Sequence, residues 1–126
     1  MSGRFAFLIH PLDMRDVIRF EPKAATKRLP LVEKILDWMP PFVGSDIVGI
    51  QSAQGWGTSG WFITVPMLPQ MFVNGAREKV LQKIIAAGKL GAKKGARIVG
   101  LGAYTSVVGD AGVTVANNLD IAVTTG

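Results

Sequence analysis

The sequence predicts an α/β fold, a three-layer sandwich on a largely parallel, mixed sheet. Three observations lead there. Residues 4–10, "RFAFLIH", form a short apolar run closed by Pro11 and read as a buried strand. The helical pattern over residues 76–94 runs into a second apolar stretch, "RIVGLGAY", giving the strand, helix, strand alternation of a parallel crossover. Between them, "DIVGIQSAQ" and "GWFITVPML" flank the Gly-rich "GWGTSG" and read as an antiparallel hairpin.

The elements follow in order. Asp13 is placed to cap a helix through "MRDVIRF", because its carboxylate can accept the unpaired amide hydrogens of the first turn. Pro22 marks the end of that helix, and "KAATKR" reads as a basic connector. "LPLVEKILDWM" puts Leu31, Ile35 and Trp38 at helical spacing, and Pro40-Pro41 stops this second helix. In the long helix Val80, Leu81, Ile84, Ile85, Ala87 and Leu90 make one apolar stripe, with lysines over much of the other face. Gly88 and Gly91 would serve close packing there, and Gly95 would end the helix. "VTVANNL" reads as a short helix or turn, and "IAVTTG" as a last strand.

Composition sets the limits. With 126 residues, 48% of them hydrophobic, the chain can bury one substantial core, so a single domain is expected. The absence of cysteine excludes disulfides, thiolate zinc sites and a cysteine nucleophile, and fits a cytoplasmic location. With His10 as the one histidine, a zinc site would need carboxylates almost exclusively, and no metal is expected. The apolar stretch before Pro11 is far short of the ~20 residues that span a bilayer, so neither signal peptide nor membrane span is read. A net charge of +5 favours an anionic partner. Nucleic acid is disfavoured, because the aromatics are not interleaved with the basic residues.

The segment "GLGAYTSVVGDAG", residues 100–112, invites comparison with a dinucleotide loop. The fingerprint needs a third glycine where Thr105 stands, and the two glycines in "SVVGDAG" interrupt the helix whose N-terminus would hold the phosphates. Asp120 precedes an apolar run, whereas a ribose-binding acid belongs at a strand's carboxyl end. No cofactor site is read in this chain. Tyr104, Thr105 and Ser106 instead follow a strand, where they can either hydrogen-bond a polar substrate group or cap the next turn.

The ordered set "LPQM", the Lys-rich helix, "GLGAYTSVVGDAG" and "VTTG" resembles the N-terminal domain of long-chain acyl-[acyl-carrier-protein] reductases and their shikimate-dehydrogenase-like bacterial relatives. The resemblance spans nearly the whole chain. It implies an α/β domain similar to the N-terminal domains of amino-acid and shikimate dehydrogenases, followed by an NAD(P)-binding Rossmann domain. Residues 1–126 are then a single substrate-binding domain, and NADP or NAD belongs to the domain absent from this chain. By itself the chain is not expected to complete catalysis. The resemblance also places Tyr104, Thr105, Ser106, Thr124 and Thr125 at the interdomain cleft, and implies a small-molecule or acyl-thioester substrate.

Other residues carry two readings each. His10 is either a general acid or base, since an unperturbed imidazole titrates near ~6.5, or a structural histidine. Lys79, Lys83 and Lys89, with Lys93, Lys94 and Arg97, either dock an acidic partner such as acyl carrier protein or form a solvated face. Trp56 and Trp61 either present a partner or homodimer surface or anchor the hairpin by packing.

Overall fold

The computed structural model describes residues 3–51, 57–102 and 112–124. Along the chain it runs β1 (Gly3–Ile9), α1 (Met14–Phe20), a 3-10 helix (Pro22–Thr26), α2 (Leu29–Trp38), β2 (Phe42–Gln51) and β3 (Gly57–Thr64). It continues through α3 (Pro69–Asn74), α4 (Arg77–Lys94), β4 (Ile98–Leu101), α5 (Val113–Asn117) and β5 (Ala122–Thr124). The five strands form one sheet in the order β2-β3-β1-β4-β5. The β2–β3 pair is antiparallel and the others are parallel, so the mixed, mostly parallel α/β sheet expected from sequence is present.

Local chemistry explains the boundaries. The Asp13 carboxylate accepts from the backbone N–H of Arg15 at 2.8 Å and of Asp16 at 3.4 Å, which starts α1. Pro30 and Pro69 lie in the first turns of α2 and α3, where a missing N–H costs nothing. Gly95 ends α4 at φ +112°, a left-handed conformation that L side chains rarely adopt, and its N–H bonds to the carbonyls of Gly91 and Ala92. Two residues later the Arg97 N–H bonds to the Arg4 carbonyl at 2.9 Å, delivering the chain into β4 beside β1.

β1 is the central strand, so both of its faces are apolar. Ala6 and Leu8 are fully buried and face α4, whose Gly91 lies directly over the Ala6 methyl. With Ile63, Val99, Leu101, Val80 and Ile84 they make the main core. Each fully buried Leu or Ile contributes about 1.5–3 kcal/mol. Val17, Ala24, Val32, Leu36 and Leu68 form a second core, and Met71 packs against both.

Several expectations need correction. The stripe on α2 is Val32 and Leu36, both buried, whereas Leu31 and Trp38 are 48% and 76% exposed. "KAATKR" is not a plain connector, because residues 22–26 wind into the 3-10 helix started by Pro22. "GWGTSG" is not all turn: residues 57–60 belong to β3, which runs to Thr64 and is followed by the buried non-strand residues 65–68. The hairpin connection, with Trp56, lies outside the described residues. The third layer is incomplete among the described residues. Phe5, Phe7, Phe62 and Ile98 share the face opposite α4, and there Phe7 and Ile98 remain 36% and 38% exposed.

Candidate functional site: a cleft at the carboxyl ends of β1 and β3

β1 ends at Ile9 beside Thr64, the last residue of β3, so the two parallel strands deliver their chains to one sheet edge. Val65 continues the pairing briefly, its N–H bonding to the Ile9 carbonyl at 2.7 Å. Beyond this edge α1 lies against the start of β2, with the Phe20 and Phe42 rings meeting edge to face at 5.2 Å. The space enclosed is a cleft of about 530 Å³, lined by Ile9, His10, Leu12, Asp16, Arg19, Phe20, Phe42, Ser45 and Thr64 among others. The lining mixes apolar and polar groups: Phe20 stands on α1 with the Asp16–Arg19 ion pair, and Phe42 is in register with Thr64 on the strand that also carries Ser45.

His10 leaves the end of β1 partly buried, its ring tilted against Phe72 at 5.0 Å. Its Nδ1 lies 2.9 Å from the Pro11 carbonyl. A carbonyl can only accept, so Nδ1 carries the proton, and in the neutral ring Nε2 is then the acceptor nitrogen. The packing against Phe72 and the bond to Pro11 hold the imidazole in place, and the cleft wall is where it stands. His10 thus has packing contacts within the fold and also lines the cleft.

Asp16 accepts from the Leu12 N–H at 2.9 Å and pairs with Arg19 at 3.2 Å, one turn further along α1. Asp13 meanwhile binds Arg15, and the hydrogen bond from that guanidinium holds the Asp13 carboxyl below its ordinary value and raises Arg15. Arg19, Ser45 and Thr64 were not singled out from sequence. Their signal is topological: Thr64 lines the cleft because β3 ends beside Ile9, and Ser45 because β2 pairs with β3 there.

Of the other site residues, Thr124 is exposed at the end of β5, in register with Gly100 of β4 and through it with Phe7. β4 separates it from β1, so two strand spacings of ~4.8 Å each lie between Thr124 and the β1 edge. Tyr104, Thr105, Ser106 and Thr125 lie outside the described residues. The chain that carries the first three leaves the sheet at Leu101, which is in register with Leu8. β1 and β4 are thus neighbours whose onward connections diverge, one toward the β2 edge and one toward β5. Open α/β sheets bind ligands outside the carboxyl ends of strands near such a divergence.

The lysines separate into two environments. Lys79 and Lys89 are exposed on α4. Lys83 is half-buried and turned inward: its Nζ donates to the Leu36 carbonyl, to Pro66 O at 3.2 Å and to Asp37 O at 3.4 Å. Burial lowers its pKa to about 8, and the Asp37 carboxylate pulls the other way. A docking role for Lys83 would therefore need a contact already made within the fold. Trp61 is partly buried on the main core with the Arg4 guanidinium 5.7 Å from its ring, which is the packing reading of that residue.

Among the described residues no group of three or more His, Asp or Glu side chains is arranged to hold a metal ion. No helix among them is long and apolar enough to cross a membrane. Comparison of the chain with protein-family models and with curated proteins returned no match.

Proposed function

We propose that the chain is the substrate-binding domain of an NAD(P)-dependent oxidoreductase, of the kind it resembles among acyl-[acyl-carrier-protein] reductases and shikimate-dehydrogenase-like enzymes. The cleft at the carboxyl ends of β1 and β3 is the observation that carries this reading. Its volume suits a small molecule, and its lining combines apolar side chains with a few polar groups. In this reading His10 and Thr64 bind a polar substrate group, while Phe20 and Phe42 cover its apolar part. The resemblance adds Tyr104, Thr105, Ser106, Thr124 and Thr125 as further residues to touch substrate. The same reading assigns the fold to the three-layer N-terminal domains of amino-acid and shikimate dehydrogenases, and places NADP or NAD in a Rossmann domain elsewhere in the encoded protein.

The test has two arms. Titrating the 126-residue chain with NADPH is expected to leave the cofactor's fluorescence unchanged. In a protein that joins this domain to its Rossmann partner, His10→Ala and Thr64→Val are expected to raise KM for the carbonyl or acyl-thioester substrate by about tenfold, with KM for NADPH unchanged. Tight NADPH binding by the chain alone, or an unaltered substrate KM in both variants, overturns the proposal.

A second reading, a non-catalytic module that docks an acidic protein such as acyl carrier protein, is favoured by the outward-facing Lys79 and Lys89. Charge reversal at these two positions, with Lys83 left intact, is expected to abolish carrier binding. Unchanged affinity rejects it.

A further inference from the structure

A second cavity, of about 270 Å³, lies between α2, α3 and α4, and each helix contributes to it a polar pair spaced i, i+4. α2 presents Glu33 and Asp37, α3 presents Gln70 and Asn74, and α4 presents Lys79 and Lys83. That spacing puts both members of each pair on one helix face, so three polar edges converge on one volume. The apolar part of the lining is Met67, Met71 and Val80.

The charges across this volume are opposite but unjoined. Among the described residues the ion pairs are Arg15–Asp13 and Arg19–Asp16, so none bridges the cavity. Gln70 donates to Glu33 at 3.2 Å and so orients that carboxylate. Lys83 is held by three backbone carbonyls, which leaves Lys79 as the exposed cation on the α4 side of the cavity. A cavity with carboxylates on one wall, an ammonium on the other and a thioether and aliphatic lining between is complementary to a dipolar molecule with a short apolar side chain.

We propose that this three-helix cavity binds a small aliphatic α-amino acid, its ammonium toward Glu33 and Asp37 and its carboxylate toward Lys79. Met67, Met71 and Val80 cover the side chain. The thioethers adapt to its shape because methionine is unbranched and polarizable. The site is separate from the β1–β3 cleft and does not depend on the function proposed for that cleft.

Amide spectra of the 15N-labelled 126-residue chain, titrated with L-valine, N-acetyl-L-valine and L-valinamide, test this. L-valine is expected to give saturable shifts in α2, α3 and α4, and each blocked analogue, lacking one charge, to bind at least about tenfold more weakly. Glu33→Gln and Lys79→Gln are each expected to weaken valine binding by about tenfold, with spectral dispersion retained, whereas Lys93→Gln leaves it unchanged. The proposal is overturned if no saturable shift occurs, if the three compounds act alike, or if the shifts centre on His10 and Phe42 instead.

Discussion

The glycines of α4 show how much a single hydrogen can decide. A Cβ at Gly91 would stand 2.7 Å from the Ala6 Cβ, a short, immobile side chain on the central strand. A Cβ at Gly88 would meet the tip of Leu119 at 2.6 Å, and that side chain can rotate away. Gly91→Ala should therefore destabilise the fold by about 1–3 kcal/mol through overpacking. Gly88→Ala should cost much less, because a helix-propensity gain of up to about 1 kcal/mol offsets the displacement of Leu119. Urea denaturation of the two variants separates them, and equal midpoints would show that α4 does not lie this close to β1. Both glycines were legible in the sequence as close-packing positions; which neighbour each one meets was not.

At the level of the element, α2 was placed correctly and its inward face was not. Leu31, Ile35 and Trp38 and the alternative pair Val32 and Leu36 are both compatible with a 3.6-residue period, since the segment is apolar around much of its circumference. The choice was made by what α2 packs against: Val17, Ala24 and Leu68 take Val32 and Leu36, leaving Trp38 to stack near Lys34 at 5.7 Å. Leu36→Ala is expected to cost about 2–5 kcal/mol, as for other fully buried leucines. Trp38→Ala, at an exposed position, should stay within about 0.5 kcal/mol. Thermal or urea unfolding of both variants checks the assignment, and the reverse ranking would restore the sequence-based face. The hairpin shows the same limit, because the glycines of "GWGTSG" carry a turn signal although residues 57–60 pair with β1 and β2.

Across the whole molecule, two cores are tied together by Met71 and by Lys83. Lys83 leaves α4, the helix over the main core, and caps carbonyls of α2 and of the segment after β3. Burial sets its folded-state pKa near 8, below the value of ~10.4 expected in the unfolded chain. Between these values the unfolded state binds more protons, so this residue's contribution makes native stability rise with pH. The cost of burying its charge is fully present below pH 8 and is relieved as pH climbs toward 10. Urea midpoints measured from pH 7.5 to 10 should show that rise in the parent chain and lose it in Lys83→Met. An identical pH slope in the two proteins would mean that the amine is solvated in the folded state.

The sequence by itself determined the number and kind of most elements, the caps at Asp13 and Gly95, and a mixed, mostly parallel sheet. These follow from local forces: period, capping chemistry and backbone conformation act within a few residues. The place of His10 just past the end of a strand was also legible, because Pro11 closes the apolar run that precedes it. Only the tertiary structure decided that Thr64 and Ser45 share its cleft, that Lys83 points inward, and that three helices bring polar pairs to one cavity. Each of those depends on strand order and helix docking between segments distant in sequence, and no periodicity within a single segment encodes which segment it will meet.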